Sequence, residues 1–217
     1  MAGFIQGRVL HEPNKVDARL REMGLSATVL LSALNAGIAS LALASPNHPP
    51  NFGGTSLWAE AVRVLRELLI PKGWRKDNSY NFPTVVSPDR KIAVAVASGD
   101  EGTGIRKGNP STHYPRGTVM QRRVEANSQL PLFDDIRRAD DAESAEEAEA
   151  TWMLLHYRER GQLRCELSLP ISINDSGFVE NWAERIILTP IQIDPTRMPV
   201  LDDEPVNPTV TVKRRAS

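Results

Sequence analysis

Residues 98–116, Ser-Gly-Asp-Glu-Gly-Thr-Gly-Ile-Arg-Lys-Gly-Asn-Pro-Ser-Thr-His-Tyr-Pro-Arg, bring carboxylates, cations, an imidazole and a glycine-rich backbone into one stretch of chain. Asp100 and Glu101 are neighbouring carboxylates of the kind that hold a divalent metal, Arg106 and Lys107 can neutralise phosphate, and His113 can carry a proton. The glycines can turn backbone amides toward an anion. A connector this long inside a compact domain is typically functional or disordered, so Asp100, Glu101 and His113 are the candidate catalytic residues. The competing reading is a loop whose glycines serve turns and whose charges are solvated. Signatures of established chemistry are missing: the chain has no Walker A sequence, HExxH, GxSxG or complete metal-ligand set. Pro88-Asp89 also lacks the Glu-x-Lys that would complete a restriction-type nuclease site. No metal and no cofactor are therefore expected, and catalysis is the rival reading rather than the leading one.

Arg116, Arg122 and Arg123 extend the cationic run begun by Arg106 and Lys107. Five such residues suit a nucleic-acid backbone, each neutralised phosphate adding salt-dependent affinity. Trp74, Tyr80, Phe82 and Tyr114 are interspersed among the bases and offer rings for stacking on unpaired nucleotides, although Trp74 and Phe82 equally suit a core. His11, His48 and His156 have no companion ligands nearby in sequence, and Trp152, Trp182 and Cys165 are expected to pack a sheet.

Residues 129–133 read Gln-Leu-Pro-Leu-Phe. The pentapeptide resembles the bacterial sliding-clamp-binding motif, a glutamine, a leucine, a variable residue and a Leu-Phe pair, found in polymerases, repair factors and some mobile-element proteins. The resemblance covers these five residues only. It implies that Leu132 and Phe133 enter an apolar groove, the Gln129 amide bonds at a second subsite, and Leu130 matches the pattern. Pro131 favours the extended shape such docking needs, and buried apolar anchors supply most of the affinity in interfaces of this kind. If Leu130, Leu132 and Phe133 instead pin a loop to the chain's own core, the match is coincidence.

Composition sets the frame for these sites. A chain of 217 residues with 41% hydrophobic residues can bury a proper core. The single cysteine, Cys165, rules out an intramolecular disulfide and fits a cytoplasmic location, and the N-terminus lacks a signal-peptide pattern. Residues 25–45 carry no charge and approach the length of a membrane span, but Ser26, Thr28, Ser32, Asn35, Ser40 and Ser45 and the missing aromatic anchors favour a buried helix. Ala33 with Gly37, and Ala36 with Ser40, would let another helix approach closely. No membrane association is expected. The net charge of −1 conceals an uneven distribution: between residues 134 and 149 eight acids face Arg137 and Arg138, a local −6, whereas residues 72–123 hold ten bases against four acids.

The elements that must position these residues follow from periodicity. A helix is expected over 17–45, broken at Gly24 and ended by Pro46, with Leu30, Leu31, Leu34, Ile38 and Leu41 at helical spacing. A second runs from Thr55 as N-cap to about Ile70 with Leu57, Ala61, Leu65 and Leu68 on one face. Strands are expected at 84–86, 91–97 and 117–125, then a hairpin of 151–158 and 162–171 around Gly161, then 182–193. The expected architecture is α+β: two N-terminal helices packed on a mainly antiparallel sheet, forming one domain over 1–193 with an acidic linker or insert at about 134–150 and a flexible tail at 194–217. The absence of strand-helix alternation argues against a doubly wound nucleotide-binding fold. The leading functional expectation is an accessory protein of DNA metabolism, a mobile element or phage defence that docks on a sliding clamp and acts near DNA or RNA. The alternatives are a metal-dependent nuclease or phosphate-acting enzyme built on Asp100 and Glu101, and an oligomeric structural subunit of a larger complex, associating through residues 25–45.

Overall fold

The computed structural model describes residues 7–136, 149–159 and 161–194, with side chains in the helix that ends at Ile136 described as far as Gln129. Among the described residues four α-helices accompany an eight-stranded sheet, an α+β architecture. In chain order come β1 (Arg8–Leu10), α1 (Pro13–Glu22), α2 (Ala27–Leu41), α3 (Phe52–Leu69), β2 (Arg75–Asp77), β3 (Thr84–Val86) and β4 (Ile92–Ser98). There follow α4 (Thr118–Ile136), β5 (Ala150–Glu159), β6 (Gln162–Ile173), β7 (Val179–Ile187) and β8 (Ile191–Gln192). All of the expected 194–217 tail beyond Asp194, and the acidic residues 137–148, lie outside the described residues.

Local chemistry explains the helix boundaries. Gly24 adopts φ 68°, a conformation that ends α1, and the Leu25 amide folds back to the Leu20 carbonyl at 2.8 Å. Ser26 then caps α2 by accepting the Val29 amide at 3.3 Å. The expected helix over 17–45 is thus two helices, bent by 94° at this break. No single described helix is long and apolar enough to cross a membrane. α2 spends its apolar face on α3: a Cβ on Gly37 would fall 2.6 Å from the Leu57 carbonyl oxygen, so the small-residue spacing in this helix serves packing within the chain. α3 begins at Phe52, not at Thr55, with two glycines in its first turn. Its buried face is Leu57, Ala61, Leu65 and Leu69, whereas Leu68 is 36% exposed. The expected stripe drifts because 3.6 residues per turn favour i+4 over i+3 at its last step.

The sheet order is β1-β7-β6-β5-β4-β3-β2, with β8 on β6. Most neighbours are antiparallel, but β1 with β7 and β4 with β5 are parallel. Residues 117–125, expected to be a strand, lie within α4 except for Gly117, so β4-α4-β5 is a strand-helix-strand crossover. The alternation in Ile92-Ala-Val-Ala-Val-Ala97 shows how both faces are used. Val94 and Val96 join Trp152, Leu154, Cys165, Leu167 and Ile186 in the core beneath α1, α2 and α3. Ala97 joins Met153, Leu155, Val179 and Trp182 in a second core with Met120 and Val124 of α4. The crossover helix packs on β5 and β6 on that side. β3 stops short on this edge, and the Trp58 indole of α3 donates to the Val96 carbonyl at 3.2 Å, supplying the partner that a longer strand would have provided.

Candidate functional site

In a strand-helix-strand crossover, loop and helix N-terminus meet over the carboxyl ends of the parallel strands, where ligands bind in open α/β sheets. Here β4 ends at Ser98, whose register partner His156 lies three residues before the end of β5 at Glu159. The Gly99 amide donates to the His156 carbonyl and the His113 amide to the Ser98 carbonyl, each at 2.9 Å, so the loop over 99–117 leaves and returns at one point. A bridge between Gly99 and Thr112 closes its neck.

The loop is fastened to the sheet face by a buried polar cluster that sequence reading missed. Glu166 of β6 is fully buried, accepts from Ser168 Oγ at 2.7 Å and the Gly104 amide at 2.8 Å, and pairs with Arg185 of β7 at 2.6 Å. Arg185 also donates to the Gly108 and Ile105 carbonyls of the loop. Gly104 has φ 71°, and a Cβ there would lie 2.9 Å from Arg164 Cβ, so loop backbone and strand approach as only glycine permits. At the far side Ser111 Oγ donates to the Val179 carbonyl and the Trp182 indole to the Pro110 carbonyl. The signal for the cluster was the alternation Leu163-Arg-Cys-Glu-Leu-Ser-Leu169, which sorts Arg164, Glu166 and Ser168 onto one face. That pattern ordinarily means a solvated face; here the loop covers it.

The anticipated catalytic trio does not converge. Asp100 Oδ1 accepts the Gly102 amide at 3.0 Å, serving its own turn, while Glu101 is exposed and His113 is exposed edge-on to Tyr114 at 4.5 Å. Among the described residues no group of three or more His, Cys, Asp or Glu side chains is arranged to hold a metal ion.

The five anticipated nucleic-acid contacts also separate. Arg106 and Lys107 line an open hollow with Gly7 and Val9, beside β1 at one edge of the sheet. Arg123 pairs with Asp77 of β2, at the opposite edge, and with Glu149, and it lies over the Phe82 ring. Six strand spacings separate those edges in the sheet order, a path of about 29 Å. Arg122 is exposed on α4. Of the aromatics, Trp74 is buried in the core and Phe82 is half-buried, while Tyr80 and Tyr114 are exposed.

Arg116 sits apart from these, at the carboxyl end of β4. Its backbone amide donates to the Gly177 carbonyl at 2.7 Å and its guanidinium Nη2 to the Ser98 carbonyl at 3.3 Å. Burial alone pushes the guanidinium down to about 10, with no carboxylate acting to offset it. His156 is pushed down to about 4, chiefly by burial and secondarily by the Arg116 charge, so its ring is neutral at pH 7. Because its folded pKa is depressed, a proton adds to the unfolded chain first, and stability falls as pH drops from about 6.5 toward 4. The expected loss is on the order of 2–3 kcal/mol. Chemical denaturation across that window should show a shallower acid limb in His156→Phe than in the wild type; identical slopes would refute the assignment. Cys165 is pushed up to about 12 by burial and then by the Glu166 charge, which leaves it a thiol and a poor nucleophile at pH 7.

Residues 129–133 lie inside α4, where an extended peptide was expected. α4 is anchored as far as Asn127, whose side chain is buried and bonds the Thr151 amide and carbonyl and the Pro170 carbonyl, each at 2.9 Å. Ser128 and Gln129 beyond it are exposed, and the side chains of Leu130, Leu132 and Phe133 lie outside the described residues. Comparison of the chain with protein-family models, with curated proteins and with solved structures finds no match.

Proposed function

We propose that the protein is a docking adaptor that binds a sliding clamp of the bacterial type through Gln129, Leu130, Leu132 and Phe133 and acts beside nucleic acid. The observation that carries this reading is the pentapeptide itself, taken with its position on α4: it begins two residues past Asn127, the last described side chain buried against the sheet, and Gln129 is exposed.

A groove that takes an extended peptide requires the end of α4 to unwind. The helix carries its own weak point there. Pro131 has no amide to donate to the Asn127 carbonyl, and an interior proline costs a helix about 3 kcal/mol. Just before it the Ser128 hydroxyl donates to the Glu125 carbonyl at 2.7 Å, competing for a backbone acceptor. Unwinding beyond Asn127 therefore sacrifices little, while the three bonds of Asn127 hold the remainder of the helix in place. The exposed cations Arg106, Lys107 and Arg122, with Tyr80 and Tyr114, supply surface for nucleic acid.

Affinity for a bacterial sliding clamp, measured on an immobilised surface, tests the proposal. Leu132→Ala with Phe133→Ala should weaken binding by about thirtyfold or more, the loss of one strong anchor. Pro131→Ala, which strengthens the helix, should weaken it by several-fold by opposing unwinding. Binding that survives the double substitution, or no binding by the wild type, rejects the reading.

A further inference from the structure

We propose that the groove between α4 and the far end of β6 is a strand-addition site, and that its occupant is the chain's own C-terminal segment, Thr209 to Arg215. The site uses α4 only as far as Ser128, so it stands or falls independently of clamp docking by residues 129–133.

The groove exists because β6 outruns its neighbour. β5 pairs with β6 only as far as Met153 opposite Ser168, whereas β6 continues to Ile173. On the side where β5 has stopped, β6 from Leu169 to Ile173 has no strand beside it among the described residues. Asn127 takes the Pro170 carbonyl at 2.9 Å, which closes the first step of the gap. Beyond it lies a groove of about 510 Å³, walled by Val124, Glu125 and Ser128 of α4 and by Ile171, Ile173 and Asp175. That is the volume of a ligand cleft. Ile171 and Ile173 are only half-buried, so apolar surface is left for an occupant to cover. An open strand edge is a template for pairing, and an added strand gains affinity from backbone bonds and fit from alternate side chains.

Charge and sequence pattern identify the occupant. Glu125 and Asp175 are exposed, and among the described residues no cation lines the groove and neither carboxylate has an ion-pair partner. Residues 209–212 read Thr-Val-Thr-Val, four β-branched residues whose alternation gives a strand one apolar face, and Lys213, Arg214 and Arg215 follow at once. Val210 and Val212 suit Val124, Ile171 and Ile173, while the three cations suit Glu125 and Asp175. The stretch 137–148 is net acidic and would bring like charge to the same wall. Chain length permits docking within one molecule. β6 spans about 36 Å from Gln162, the register partner of Gln192, to Ile173. The fifteen residues from Asp194 to Thr209 reach at most about 50 Å.

Hydrogen exchange on the full chain tests the site. Val210→Pro with Thr211→Pro removes two successive amides, one of which an added strand must turn toward β6, and changes nothing between residues 7 and 194. Exchange across Ile171–Ile173 should then quicken by about tenfold or more. Glu125→Lys with Asp175→Lys should do the same by reversing the charge of the wall, and adding Lys213→Glu, Arg214→Glu and Arg215→Glu should restore protection. A free peptide of residues 206–217 should bind the proline variant at least about tenfold more tightly than the wild type, whose own segment competes at high effective concentration. Exchange at Ile171–Ile173 unmoved by the prolines, no rescue by the paired charge reversal, or equal peptide binding by the two chains overturns the proposal. So does protection that rises with protein concentration, which would assign the occupant to a second copy.

Discussion

Arg185→Met should lower the unfolding free energy by about 3–5 kcal/mol, the usual cost of removing one partner from a buried ion pair. Glu166 is fully buried, and Arg185 supplies its Nε and Nη2 donors to the two carboxylate oxygens at 2.9 and 2.6 Å. Without the guanidinium, a carboxylate retaining only Ser168 and the Gly104 amide remains in the interior, and the Gly108 and Ile105 carbonyls lose their donor. Replacing both charges, as in Arg185→Met with Glu166→Leu, should recover part of the loss because no unpaired charge remains. The loop would still be released. Urea denaturation measures the first effect, and hydrogen exchange at Gly104 and across residues 99–112 measures the second. A single substitution within about 1 kcal/mol of wild type would show that the pair is not buried in solution. Faster exchange in both variants, with stability partly restored only in the double, is the pattern that separates fastening the loop from merely packing the sheet.

The second large effect falls on the crossover helix. Asn127→Ala removes two donated bonds and one accepted bond at a site 1% exposed, leaving the Thr151 amide and carbonyl and the Pro170 carbonyl without that partner. At about 1 kcal/mol per bond, plus the penalty for buried groups left unpaired, the loss should approach 4 kcal/mol. Asn127→Asp should be comparably severe, since it keeps the acceptor but replaces a two-bond donor with a charge facing two carbonyls. Thr151 is the second residue of β5 and Pro170 lies where the β6–β7 register shifts, so one amide side chain joins the helix to both β5 and β6. Thermal denaturation of the two variants checks this, and a loss below about 1 kcal/mol in Asn127→Ala would mean that α4 does not depend on the amide.

Much of the fold can be read locally. Gly24 and Ser26 break and restart the N-terminal helices with chemistry confined to a few residues, and the hairpin at Gly161, φ 77°, needs only its turn and the flanking alternation. β1 and β2 escaped notice because each is only three residues long, and β2, Arg-Lys-Asp, is wholly charged, a composition that suits a sheet edge and resembles loop. α4 was misread for a different reason. Residues 117–125 contain Thr118, Val119 and Val124, which favour strands slightly, and Pro131 argues against a helix continuing through it. Met120, Val124 and Asn127 nevertheless find partners on the sheet, and that packing outweighs a weak local preference. Mistaking the helix concealed the crossover.

The amino-acid order alone settles the helix breaks, the central strands and the presence of Gln-Leu-Pro-Leu-Phe, because each depends on neighbours within a few residues. It also reveals a cationic, glycine-rich loop. Which of that loop's side chains act together was decided by tertiary structure. Asp100 turned inward on its own backbone, Arg106 and Arg123 went to opposite sheet edges, and Arg116 came to rest on the Ser98 carbonyl at the end of β4. The physical reason is that burial and charge compensation are properties of whatever covers a residue. For Glu166, Arg185, Arg116 and His156 the cover arrives from segments distant in sequence, so their environment exists only once the sheet, the crossover and the loop are assembled.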